Sequence, residues 1–191
     1  MKKFNYLILL AGGILTFSTV IAQKDSSGIY LTANDFKAGK LSYAINYKTE
    51  NHKINDYIFL NSAQVNVKHH GNTYKLDKNN IYGYKSTKGE EFRFVMDQQY
   101  KILNRGEHVL IYEYEEPGID PRHPLLSLLY TYYFTTDAAN PPVQLTKENL
   151  KKAFPGNQGF NGKIDENFNT DEDLITYDKL HKMYKLNWLL K

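Results

Sequence analysis

The chain of 191 residues contains no cysteine. That excludes a disulfide framework, a thiolate nucleophile and thiolate ligation of a metal, so stability rests on packing alone. It also removes the lipid attachment point that a lipoprotein needs behind its leader. Beyond residue 22 no stretch is long and apolar enough to span a bilayer. The sequence has no Gly-x-Ser-x-Gly elbow, no phosphate-binding glycine loop and no His-x-x-x-His pair, which leaves the familiar nucleophile, nucleotide and zinc signatures empty. Nor is there a surplus of one charge. Lys2 and Lys3 account for two of the formal +3, and the remainder is near neutral with its signs interspersed, which is no electrostatic footprint for nucleic acid.

What is present begins with Lys2 and Lys3 ahead of an apolar run from Phe4 to Ile21. Val20 and Ala22 supply the small residues that a signal peptidase pocket accepts, and Gln23, Lys24 and Asp25 turn the chain polar at once. The pattern predicts a cleavable secretory signal over residues 1–22, with cleavage after Ala22; an uncleaved anchor is the alternative reading of the same run. Residues 23–191 have the length of one domain, located in the periplasm or outside the cell, with no stable membrane insertion once the signal is removed.

Sixteen tyrosines and ten phenylalanines against one tryptophan point to β structure, where aromatic rings pack on a pleated face. Short strands are expected at residues 28–31, 42–47, 64–68, 73–76, 81–84, 91–95, 100–103, 108–114 and, as a buried strand, 125–135, with turn residues recurring every eight to twelve positions or so. Thr32 with Asp35 reads as the cap of one helical turn ending near Gly39. From Thr146 the period changes: Thr146 caps a helix that Pro155-Gly156 stops, and a second helix is expected from Thr170 to the terminus. Leu174, Tyr177, His181, Tyr184 and Trp188 would share one stripe of it, with Asp178, Lys182 and Lys185 beside them toward solvent. The predicted class is α+β, an antiparallel meander or partly closed barrel of about seven to nine strands followed by C-terminal helices. The β-rich part covers residues 28–145 and the helical part 146–191.

Four stretches together carry a resemblance. Gly28-Ile29-Tyr30-Leu31-Thr32 with Asp35-Phe36, Gly83-Tyr84 with Phe92-Arg93-Phe94, residues 145–155 and residues 177–185 resemble a group of uncharacterised secreted proteins of Gram-negative bacteria. The resemblance implies export and a shared fold, and it carries over no site.

Candidate chemistry is sparse. His69 and His70 sit at a strand end, where neighbours point to opposite faces and cannot share one ion without a bulge; His52, His108, His123 and His181 are scattered, so no metal or cofactor is assigned. His181 reads as a packed histidine with one satisfied nitrogen. Asp165, Asn167 and Asn169 open a calcium-loop pattern, but Thr170 stands where glycine is needed and Thr176 where a bidentate glutamate is needed; the alternative is a polar loop whose Asp171-Glu172-Asp173 meets the positive end of the next helix. Ser127 lies in an apolar run. Glu90, Glu91, Glu113, Glu115 and Glu116 read as solvated strand faces.

The proline-rich stretch 115–124 is the most suggestive segment, since Asp120, Arg122 and His123 would sit on a stiff projection. Tyr130 and Tyr132, with Tyr133 and Phe134, would form a sugar-stacking or protein-binding platform if one strand face is open, or a buried layer if it is not. Two function classes stay open: a noncatalytic module that binds an envelope protein or a glycan, with no catalytic residue assigned, and a hydrolase of envelope or extracellular polymers whose acids only the fold brings together. Two carboxylates facing across a cleft would favour the hydrolase, and an exposed aromatic patch without them would favour binding.

Overall fold

In a computed structural model of the chain, residues 26–50, 53–55, 63–116 and 129–191 are described. The signal-like segment 1–22, His52, and Asp120, Arg122, His123 and Ser127 lie outside the described residues.

The elements in chain order are β1 (Ser26–Tyr30), α1 (Ala33–Ala38), β2 (Ser42–Asn46), β3 (Lys53–Asn55), β4 (Gln64–His69), β5 (Asn72–Asp77), β6 (Gly83–Lys85), β7 (Glu91–Val95), β8 (Gln98–Ile102), β9 (Leu110–Glu116), β10 (Leu129–Thr135), β11 (Val143–Gln144), α2 (Lys147–Ala153), α3 (Gln158–Asn167), β12 (Tyr177–Asp178), β13 (Met183–Tyr184) and α4 (Lys185–Leu189). Eight strands form one antiparallel sheet in the order β11-β10-β9-β8-β7-β6-β1-β2, and β3-β4-β5 form a second sheet of three. The large sheet stays open, with β2 and β11 as its edges. Of the two predicted forms the meander is therefore the one adopted, with helices at the C-terminal end.

Local chemistry explains most boundaries. Thr32 and Asp35 close a reciprocal capping box, and Gly39 ends α1 in the left-handed region at φ 70°, where a glycine has no side chain to clash. Thr146 accepts from the Asn149 amide to start α2. Gly83 is required by space instead: a Cβ there would stand 1.9 Å from the Phe92 carbonyl oxygen.

Strand alternation sends side chains to two different environments. On one face, Val109, Ile111 and Phe134 pack beneath Leu150, Phe160, Ile164, Leu186 and Leu189 of the C-terminal helices. Farther along that face, Ile29, Tyr84 and Phe94 pack against Val65 and Val67 of the three-stranded sheet. The opposite face carries Tyr30, Tyr82, Tyr100 and Tyr112 under Phe36 of α1.

Two sequence expectations fail here. Asp165 and Asn167, expected in a polar loop with Asn169, instead end the helix α3; Asn157 caps it by accepting from the Phe160 amide, and Phe160 and Ile164, four apart, anchor it. Gly159 and Gly162 mask it in the sequence, because glycine opposes helix formation. Asp165 consequently points into ion pairs with Lys147 and Lys151.

The long helix from Thr170 is also absent. In its place stand a 3-10 turn (Glu172–Ile175), the β12-β13 hairpin and the short α4. The Asp178 carboxylate accepts from the Leu180 and His181 amides, and Lys182 takes φ 54°. A side chain that satisfies nearby amides competes with the helix for them. Asp173 works locally too, accepting from the Asn169 and Thr170 amides, while Asp171 accepts from the Lys147 amide at the start of α2.

Candidate functional site

The C-terminal helices and the three-stranded sheet cover different parts of the same face, and a strip of the large sheet lies between the two coverings. The register runs Phe92, Lys101, Glu113, Tyr132 across β7, β8, β9 and β10. One step along, Glu115 is opposite Tyr130. Tyr130 is 49% exposed, Glu115 is exposed, and Lys101, Glu113 and Tyr132 are half-buried. Alternation forces Tyr130, Tyr132 and Phe134 to one face; Phe134 falls under the helices while Tyr130 extends beyond them.

The electrostatics of this strip are uneven. Lys101 Nζ donates to Glu90 Oε1 at 2.8 Å, and that hydrogen bond, against a smaller opposing effect of burial, raises the lysine above its ordinary range. Tyr132 donates a long 3.5 Å hydrogen bond to Glu113 Oε2; burial first, then the Glu113 charge, pushes its hydroxyl up. Tyr184 of β13 flanks the strip and is raised by burial and by the charges of Glu107 and Glu113. With Lys101 engaged by Glu90, Glu113 and Glu115 have no ion pair among the described residues.

No family model, curated protein or solved structure matches this chain.

Of the sequence-predicted site residues, Tyr130 and Tyr132 come together on the strip, joined by Glu113 and Glu115. Tyr133 points to the opposite face, where its ring stands edge-on to Tyr100 and Tyr114. The solvated-face reading of the glutamates needs one correction. Glu91 is 9% exposed; its Oε1 accepts from Tyr30 Oη at 2.5 Å and from Arg105 Nη1 at 2.6 Å, and Arg105 Nη2 reaches the Phe36 carbonyl. Glu91 thus ties β7 to β1, α1 and the turn after β8. In sequence it shows only as a charge alternating with Phe92 and Phe94, which is how a solvated strand face also looks.

A cleft of about 330 Å³ opens beside this cluster, between α1 and the turn after β10, with Lys37, Arg105, His108 and Asp137 in its lining. Lys37 and Asp137 pair across it at 2.8 Å, and the Lys37 hydrogen bond, then the Ala139 amide, hold the Asp137 carboxyl below its usual range. Lys37, Asp137 and Arg105 are thus engaged in internal contacts, so the cleft offers a ligand less than the strip does.

Two histidines depart from expectation. His70 takes φ 48° in the β4-β5 turn, so its ring swings beside that of His69, with centroids 3.9 Å apart, rather than to the opposite face. Among the described residues no group of three His, Asp or Glu is arranged to hold a metal ion. His181 has the expected single satisfied nitrogen, on Asp178 at 2.7 Å, and stacks on Trp188, but it is exposed rather than packed and sits on a hairpin rather than a helical stripe.

Proposed function

We propose that this chain is an exported, noncatalytic binding module that holds an envelope or extracellular partner on the strip between its two covering layers. The carrying observation is the exposed Tyr130 and the partly buried Tyr132 at the edge of the helix-covered core, set directly across from Glu115 and Glu113 respectively. Aromatic rings give contact area at little entropic cost, and flanking carboxylates orient a partner. Export rests on the N-terminal pattern and on the resemblance to secreted proteins; among the described residues no helix is long and apolar enough to cross a membrane.

The hydrolase alternative has less support. Glu113 and Glu115 lie side by side on one strand, whereas glycoside hydrolysis uses carboxyl groups that flank the scissile bond. The acid of the Tyr30 cluster is engaged by Arg105 and Tyr30. The test is site-specific photocrosslinking in the exporting cell, with a benzophenone side chain at position 130 and, as control, at position 88. The expected result is one defined adduct from position 130 that disappears when Tyr132 is replaced by alanine. Equal labelling from both positions would sink the reading.

A further inference from the structure

The strip has a repeat that selects its ligand. Glu113 and Glu115 are two residues apart on one strand, and each has a tyrosine directly across on β10, Tyr132 and Tyr130. Each rung of this ladder is therefore one carboxylate beside one aromatic ring, and the rungs repeat at roughly 6.8 Å, twice the rise per strand residue. An extended polypeptide lying along the strands presents alternate side chains to the sheet at that same interval.

Charge decides which side chains those are. The strip's lysine, Lys101, is held by Glu90 at 2.8 Å and its charge also acts on Glu113 and Glu115; one cation thus faces three carboxylates, neither rung has an ion pair among the described residues, and the strip keeps a negative excess. A neutral sugar placed there would hydrogen-bond the two carboxylates but bring no charge to balance them. An ammonium or guanidinium group meets both halves of a rung, the carboxylate by an ion pair and the ring by cation–π attraction. We infer that the strip receives an extended basic segment of a protein partner, with lysine or arginine at every second position, one cation on the Glu113–Tyr132 rung and the next on the Glu115–Tyr130 rung.

This deepens the binding reading and rests on it. The test is titration of the purified protein with three synthetic peptides of equal length: alternating Lys-Thr, the same composition as blocks of lysine and threonine, and alternating Gln-Thr. Fluorescence anisotropy is read at low salt and again at high salt. The alternating Lys-Thr peptide is expected to bind at least about tenfold more tightly than the blocked peptide, and to lose about tenfold in a Glu113→Gln/Glu115→Gln variant.

Tyr130→Ala should weaken the same peptide severalfold without removing the salt dependence. Equal binding of blocked and alternating peptides would overturn the register argument, and indifference to the double glutamine variant would overturn the site. If neutral oligosaccharides bind instead and the variant still binds them, the cationic inference fails. Adducts from position 130 in cells would then leave the wider binding reading standing; their absence would remove both.

Discussion

Replacing Glu91 by alanine removes one carboxylate oxygen that holds three elements together. Tyr30 loses a 2.5 Å hydrogen bond to a charged acceptor, a contact of a kind that contributes about 1.5–3 kcal/mol. Arg105 loses its counter-charge at 2.6 Å. A fully buried pair broken this way costs about 3–5 kcal/mol and an exposed one about 0–1 kcal/mol; with the Arg105 side chain 36% exposed and that of Glu91 10%, a value between these limits, about 1–2 kcal/mol, is the appropriate share. The expected total is roughly 3–4 kcal/mol, equivalent to a fall in Tm on the order of 10 °C for a domain of this size.

Urea unfolding followed by far-UV circular dichroism measures it. Glu91→Gln, which keeps an acceptor for Tyr30 but not the charge, should lose about half as much. In a double-mutant cycle with Arg105→Met, the coupling should reach at least about 1 kcal/mol. A loss below about 1 kcal/mol for Glu91→Ala would refute the assignment of the cluster as the tie between β1, β7 and the turn after β8.

Gly83→Ala puts a methyl group into the Phe92 carbonyl, and should destabilise by about 2–4 kcal/mol or abolish folding in a denaturant titration; a loss under about 0.5 kcal/mol would show that the strands part easily. Asn187, 1% exposed, accepts from the Val109 amide at 2.7 Å and donates to its carbonyl at 2.9 Å. Asn187→Leu should therefore cost about 2–3 kcal/mol and speed amide hydrogen exchange at Val109, and unchanged exchange would contradict that role. Burial, followed by its tyrosine neighbours, raises Tyr100 to about 12, and burial likewise raises Tyr30 and Tyr82. Because the folded phenols ionise later than unfolded ones, their stabilisation is complete below about pH 10 and lost as pH climbs toward 12 and beyond. Absorbance at 295 nm should show part of the sixteen tyrosines titrating only as the protein unfolds; a single reversible transition near pH 10 with the fold intact would contradict the burial.

Much of the β architecture was legible because its signals are local. Thr32 with Asp35, Gly39, and the His70-Gly71-Asn72 turn define their own geometry through hydrogen bonds and backbone freedom within a few residues. At the C-terminal end two local signals conflict. The 3-4-3-4 spacing of Leu174, Tyr177, His181, Tyr184 and Trp188 satisfies a helix, yet Asp178 captures the amides of Leu180 and His181, and burial of Leu186, Asn187 and Leu189 against the sheet rewards the hairpin and short helix. Spacing describes what a segment would bury if it were helical; it does not include the competing surface.

The candidate site divides the same way. Tyr130 and Tyr132 were visible as an aromatic run with alternating faces, but a sequence does not say where a covering layer stops. Burial of Phe134 and exposure of Tyr130, two strand steps along β10, is set by the reach of the helices over the sheet. Glu91 and Glu115 look alike as charges in β strands, and only the folded chain places Arg105 and Tyr30 against the first while leaving the second open. By itself the sequence determined the class, the antiparallel strands, two of the helix caps and the absence of any thiol chemistry, because each depends on contacts between near neighbours or on composition. Strand order, the two-part covering of one sheet face and the difference between a buried and an available carboxylate were decided by tertiary structure. They depend on contacts between residues 14 to 78 positions apart, which no local pattern encodes.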